Sequence, residues 1–548
     1  MEDNIKSDRT PMLHPWPLYL NGWWLFFSCI ASLLFAFPCI VILLKQGDYL
    51  SFANESLAYR YFSSERILNG EGANVWLPQG FLTSLIQHGI LWSINQLHLA
   101  QDSFQGRINL FALLTNLVNI TMMTVVFIAA GQSRRLIWTD KLLLALCALV
   151  PIYGTSIAGF YYSIAPDYYH LNIVLVVIAV WAYLLLLRDQ SLNTRGVDLV
   201  ILGVLSGLMI ANKVSLVVVA AMAVGALLFK QPLKYAHIAR QAILISLCTG
   251  LTFLFVICGF YLFKVRNAAH LLPRLIDFIG RPWEEPNFWD TKFLSYLQHF
   301  NYGFIGASWM LVFVFTFGYL FRHKHDSDHA KILLLLNVAA AIACGIFLFK
   351  RPAGSTFFEV AVILVSLTAM MLALIPASAF ARVFIVLIVV CQGTVSAMTF
   401  PAKHNISVVE ESSQRAETMW QIHYDTLHLA AGRPIIVIIP DNSYHHEGVH
   451  EFLLKGAADF PTWNISAAGE KIIHRFAPGM TFRHEYGGIP PSSAIPENVV
   501  VIWFDLLNSP ALTEKYASLN EANLRPGVVC SERAVEKTDV TVHMCSLP

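Results

Sequence analysis

The sequence predicts a polytopic α-helical membrane protein of about 11 transmembrane helices followed by a small C-terminal α/β domain. Three observations predict it. Of 548 residues, 56% are hydrophobic and only 13% charged, against roughly a quarter charged in an ordinary soluble domain. The apolar residues gather in runs near the ~20 that cross a bilayer. Beyond about residue 400 these runs give way to short β-branched stretches set among polar residues. The net charge of +1, with no long basic tract, points to no nucleic-acid partner.

The first 24 residues lack the basic region and small-residue cleavage site of a signal peptide, so the first span is expected to remain as an anchor. Spans are expected at about 22–44, 108–131, 141–160, 169–187, 197–211, 214–230, 241–263, 302–321, 331–349, 356–374 and 383–400. The short loops "QSRRLIWTDK", "LRDQSLNTR", "FKQPLKYAHIAR" and "FRHKHDSDHAK" alternate with longer ones, and their Lys and Arg place them on the cytoplasmic side with the N-terminus. The loops at about 46–107 and 264–301, and the tail at 401–548, then face outward. That arrangement places a membrane domain at 1–400 and an extracytoplasmic α/β domain at 401–548.

In the tail, "RPIIVIIPD" and "NVVVIWFD" read as strands and "HHEGVHEFLLKGAADF" as a helix between them. Seven of the nine cysteines fall in proposed spans, where a thiol acts as a small apolar group. Cys530 and Cys545 stand apart in the tail, either as a disulfide suited to an oxidising compartment or as two thiols. His446-Glu447-Gly448-Val449-His450 matches the zinc-peptidase pattern, with two histidines as ligands and Glu447 to activate water. A glycine interrupts it and no third ligand stands at a familiar spacing, so a solvated helix start is the plainer reading.

The stretch "ANESLAYRYFSSERILNGEG" at 53–72 reads as a helix of about fifteen residues with Asn54 as N-cap and Gly70 at C′. At ~100° per residue, Glu55, Tyr59, Phe62 and Arg66 share one sector, with Leu57, Tyr61, Ser64 and Leu68 opposite. Either the Glu55 side faces a cavity at the membrane surface, or the helix lies exposed and its charges meet water. In "FYYSIAPDYYHLN", Pro166 and Asp167 suit the start of a membrane helix, and Tyr161, Tyr162, Tyr168 and Tyr169 fit an aromatic belt. The same carboxylate could hold a hydroxyl at the outer edge of a bundle.

Taken in order, these stretches resemble the GT-C superfamily of membrane glycosyltransferases, in particular the bacterial relatives of protein O-mannosyltransferases and aminoarabinose transferases. Glu55, Tyr59 and Gly70 keep the spacing of the family's first outer loop, although Ser56 stands where its second acid is expected. Pro78-Gln79-Gly80-Phe81 resembles the re-entry that follows, and "QGRINLFALLTNLVNITMMTVVFIAAG", with Arg107, the second span. "APDYYHLN" resembles the Pro-Asp loop, and "LGVLSGLMIANKVSLVVVAA", ending in Lys213, a glycine-rich hairpin. The match covers about residues 40–230; the later half matches by hydropathy alone.

The resemblance implies a GT-C fold and inverting transfer of a sugar from a polyprenyl-phosphate donor to a glycan, lipid or protein acceptor. The setting would be the outer face of a bacterial inner membrane, with the tail in the periplasm and membrane lipid as a further partner. Such chemistry needs a carboxylate to take the acceptor's proton and cations to hold the departing phosphate. Glu55 is the candidate base and Asp167 the second catalytic acid. Asp48, Tyr59, Arg66, Lys213, Lys350 and Arg351 are the substrate-binding candidates, the last also readable as an interfacial residue. No cofactor is specified, and a divalent metal is left open. Glu359, one turn into the tenth span, is either functional or paired with Lys350 and Arg351. The loop at 281–300 adds Trp283, Glu284, Glu285, Trp289, Asp290 and His299 as sugar contacts or interface anchors. A transporter or non-catalytic scaffold is the rival class, but it would favour paired repeats and polar residues near the midplane, whereas the notable charges here gather at the outer edge.

Overall fold

The computed structural model describes residues 22–44, 60–70 except 62 and 66, 80–100, 104–153, 163, 165–188, 196–228, 235–264 and 354–374. In the tail it describes parts of 421–433 and the stretches 435–438, 463–465, 500–506, 529–534 and 540–546. Helix α1 spans Gly22–Leu44, α2 Phe81–Gln96, α3 Phe104–Gln132, α4 Trp138–Tyr153, α5 Tyr168–Arg188, α6 Gly196–Asn212, α7 Val217–Leu228, α8 Tyr235–Leu262 and α9 Gly354–Leu374. The described parts of the expected spans from 22–44 to 241–263, and the one at 356–374, therefore fall on helices, while 154–160, 229–230 and the spans at 302–321, 331–349 and 383–400 lie outside the described residues. The chain is a polytopic helical membrane protein. Among the described residues four helices are long and apolar enough to cross a bilayer: α1, α3 from Gly106, α5, and α8 over Ala239–Phe260.

Helix α5 is the axis of the bundle. Its sequence, "YYHLNIVLVVIAVWAYLLLL", is apolar around its whole circumference, the pattern of a helix surrounded by others. Val174, Val176, Val177, Val180 and Leu184 are buried, and α3, α4, α6, α7 and α9 pack around it. Tyr168 and Tyr169 are buried as well, so the aromatic-belt reading does not hold for these two, and Tyr161 and Tyr162 lie outside the described residues. The outer helices show the complementary pattern. On α8, Leu247, Leu251, Leu254 and Phe255 are exposed on a face that only lipid would cover, whereas Ile245 and Val256 point inward.

Helices α6 and α8 touch backbone to backbone. A Cβ on Gly203 would lie 2.9 Å from the Ile245 carbonyl oxygen, and one on Gly207 2.7 Å from that of Thr249. This is the small-xxx-small contact by which membrane helices approach closely when no hydrophobic effect drives them together. The α6–α7 reversal is correspondingly tight. Lys213 is extended and Val214–Leu216 form one turn of 3-10 helix, so Lys213 is held at the bundle's end.

The tail holds a five-stranded mixed sheet in the order β2-β1-β3-β5-β4, with β1 Ile435–Ile438, β2 Trp463–Ile465, β3 Val500–Leu506, β4 Val529–Ala534 and β5 Val540–Ser546. Strand β1 pairs in parallel with β2 and β3, and β5 pairs antiparallel with β3 and β4. On β3 the consecutive residues Val500, Val501 and Ile502 are all buried, so that stretch is covered on both faces, in keeping with its continuous apolar run. Cys530 and Cys545 are register partners on β4 and β5 and form a disulfide, which settles the choice between bond and free thiols. The HEGVH segment lies outside the described residues.

Candidate functional site

Charged side chains meet at both ends of the helix bundle. At one end Asp140, which opens α4, takes Arg188 from the end of α5 in a two-pronged pair, with Nε at 2.9 Å and Nη2 at 3.0 Å from different carboxylate oxygens. Arg188 also donates to the Ala373 carbonyl of α9, and Lys141 caps α3 at the Gly131 carbonyl. These residues belong to or flank the basic loops that the charge rule assigns to one side.

The other end gathers the stretches singled out in sequence order. Residues 60–61, 63–65 and 67–68 are helical, and Gly70 closes the segment at φ +79°, the left-handed C′ position expected of it. The segment is not an exposed helix. Tyr61 is fully buried and meets Phe111 of α3 edge-on at 5.5 Å, and Ser64 and Ile67 are buried beside it. Burial, with the Glu65 carboxylate close by, pushes the Tyr61 phenol well up. Glu65 in turn faces Arg107 of α3 at 4.0 Å.

Arg60 lies on that buried side, 2% exposed. Its Nε donates to Asp167 Oδ1 at 2.8 Å, and its Nη2 forms the ion pair with the same oxygen at 2.6 Å. Its Nη1 reaches Ser84 Oγ at 2.6 Å and the Gly80 carbonyl at 3.5 Å. Asp167 stands immediately before α5, and the same Oδ1 accepts the Tyr168 N–H at 2.7 Å. The carboxylate therefore meets the first N–H of α5, where the helix dipole favours negative charge, and is an ion-pair partner at once.

Lys213 projects over the same tyrosine. Its Nζ lies 4.5 Å from the Tyr168 ring centroid and 3.1 Å from the Tyr168 hydroxyl, and it pairs with Glu359 at 2.7 Å. Glu359 also accepts from Ser215 at 3.2 Å. Its partner is thus a lysine 146 positions upstream, in contrast to the local pairing with Lys350 and Arg351 that the sequence suggests; both of those lie outside the described residues. Tyr168 has a guanidinium carbon at 5.6 Å on its ring as well, so its ring contacts two cations whose two carboxylates balance them.

A neutral amide fixes the frame. Asn212 Oδ1 accepts from the Thr83 N–H at 3.0 Å and from its hydroxyl at 2.8 Å, and Asn212 Nδ2 donates to the Tyr168 carbonyl and to Asn172 Oδ1. Its backbone carbonyl receives the Gly80 N–H at 2.9 Å. One asparagine thus ties α2, α5 and α6 together at the residue before Lys213. Gln87 adds a bond from α2 to the Pro166 carbonyl.

Of the candidate site residues, Asp167 and Lys213 belong to this cluster, both against Tyr168. Asp48, Glu55, Tyr59, Arg66, Lys350 and Arg351 lie outside the described residues, as does the 281–300 loop. Arg60 and Asn212 were not singled out in the sequence, and Tyr168 was read only as a belt residue. For Arg60 a signal existed: it falls in the Tyr61 and Ser64 sector, and a cation on a buried face requires a counter-ion. Among the described residues no three His, Cys, Asp or Glu side chains converge as a metal site.

No family model matches the chain, and no curated protein does. Among solved structures it is similar to the crystal structure of ArnT from Cupriavidus metallidurans bound to undecaprenyl phosphate, at 13% sequence identity and a TM-score of 0.46, over 96% of this chain and 98% of that one. A likeness of that size does not by itself carry a function.

Proposed function

We propose that this chain is a GT-C-type membrane glycosyltransferase that moves a sugar from a polyprenyl-phosphate donor to an acceptor on the extracytoplasmic face, with inversion at the anomeric carbon. One observation carries the reading. Stretches that resemble the family's motifs, although up to 153 positions apart in sequence, touch one another at a single end of the bundle: Arg60 with Asp167, Gly80 with Arg60 and Asn212, and Lys213 with Tyr168. A carboxylate and a cation held beside each other at a membrane surface are what the transfer needs.

In the step itself, the acceptor's nucleophilic atom forms a bond to the anomeric carbon while the bond from that carbon to the phosphate oxygen breaks. The electron pair leaves with the polyprenyl phosphate, and the acceptor's proton goes to a carboxylate. Glu55 is the proposed base and Asp167 the acid that orients the acceptor. Lys213, with Lys350 and Arg351, would meet the phosphate's developing charge, Lys213 exchanging Glu359 for the anion. Asp48, Tyr59 and Arg66 would line the sugar's side.

Sealed vesicles holding the purified protein and a polyprenyl-phosphate sugar labelled in the sugar test this reading. Label leaving the lipid for an added acceptor supports it. Label that crosses the bilayer still attached to lipid would instead make the chain a transporter.

A further inference from the structure

We infer that Arg60 is a positioning residue that aims Asp167 by saturating one of its oxygens and leaving the other open, with Gly80 present to make room for it. The inference rests on the transfer reading above. Asp167 Oδ1 accepts hydrogen bonds from Arg60 Nε and the Tyr168 N–H, and Arg60 Nη2 stands 2.6 Å from the same oxygen. Oδ2 receives none among the described residues. A guanidinium facing a carboxylate ordinarily bridges both oxygens as a fork, and Asp140 and Arg188 do so in this same molecule. Arg60 cannot. Its Nη1 is turned to Ser84 Oγ and the Gly80 carbonyl on α2, so the fork meets Asp167 from the side of one oxygen.

The approach depends on residue 80 having no side chain. A Cβ there would stand 2.5 Å from Arg60 Nη2, and the backbone is left-handed at φ +74°. The Gly80 N–H is held in turn by the Asn212 carbonyl. Three elements therefore set the direction of one carboxylate, and its unengaged oxygen keeps its lone pairs for a donor from outside the protein, such as an acceptor's N–H or O–H.

A double-mutant cycle distinguishes aiming from simple fastening of the 60–70 segment. Arg60→Lys keeps the charge but cannot hold Asp167, Ser84 and Gly80 together. Turnover per folded molecule, at saturating donor and acceptor, should fall roughly 10- to 100-fold, the scale of a misplaced catalytic group, with donor KM changed less than about twofold. In an Asp167→Asn background the same substitution should change turnover less than about threefold, the outcome expected when its effect on turnover runs through that carboxylate. Gly80→Ala should reproduce the Arg60→Lys loss. If Arg60→Lys fails to insert, Ser84→Ala takes its place in the cycle, with a smaller loss that again vanishes beside Asp167→Asn. Losses that multiply in the double variant overturn the inference, as does a lowered melting temperature with turnover per folded molecule intact. A wild-type protein with no transfer overturns the proposed function first, a result separable from either.

Discussion

The two ends of the bundle use the same chemistry to different extents. At the Asp140 end, both carboxylate oxygens accept from Arg188, whose Nη2 also donates to the Ala373 carbonyl. At the Asp167 end the donors meet one oxygen, the other accepts none among the described residues, and a second pair, Lys213 with Glu359, stands one tyrosine away. A pair bridged at both carboxylate oxygens fastens helices. A pair with capacity to spare can bind a ligand, and it needs the extra bracing that Ser84, Gly80 and Asn212 provide.

Substitutions at the two ends should therefore part company. Glu55→Gln is expected to lower transfer by ~10²–10⁴-fold while donor binding persists, the usual contribution of a positioned base; single-turnover rates with bound donor check it. Wild-type turnover in that variant would shift the role of base to Asp167 or Asp48. Lys213→Met should raise the donor KM by about 10- to 100-fold, as expected for losing one charge-assisted contact to phosphate, and a donor titration reads it. Arg188→Met should do the reverse, leaving turnover per folded molecule unchanged and lowering stability by on the order of 3 kcal/mol through an uncompensated Asp140. Thermal denaturation in detergent measures that loss.

The tail gives smaller, separate tests. Replacing both Cys530 and Cys545 by Ser opens a loop with a sequence separation of 15 and should destabilise the sheet by about 3 kcal/mol, visible as a shift in its unfolding midpoint. A reporter fused after Pro548 should be active only outside the cytoplasm, and cytoplasmic activity would reverse the assigned sides. His446→Ala with His450→Ala should leave transfer and bound metal unchanged; loss of both activity and one zinc per chain would make the HEGVH segment the active centre.

Much of the described membrane fold could be read from local pattern. Span length and apolar content marked α1, α3, α5 and α8, whereas the close contact of Gly203 and Gly207 with α8 came from the structure alone. The strands β1 and β3 followed from β-branched runs. The site was harder, because its bonds join residues far apart in sequence, as Arg60 with Asp167 and Thr83 with Asn212 do. Periodicity gives the face on which a side chain lies and not the distant group it meets. Hence Asp167 read as a cap, Tyr168 as a belt residue and Glu359 as the neighbour of Lys350, although each carries a long-range contact.

The most direct test compares the two ends in one assay. Purified wild-type protein, Asp167→Asn and Arg188→Met are each given a polyprenyl phosphate labelled in its sugar, with an acceptor, and release of label from lipid is followed per folded molecule. The account predicts acceptor-dependent release by the wild type, the same rate for Arg188→Met, and a rate lower by about 10²-fold or more for Asp167→Asn. No release by the wild type, or equal release by all three, would contradict it.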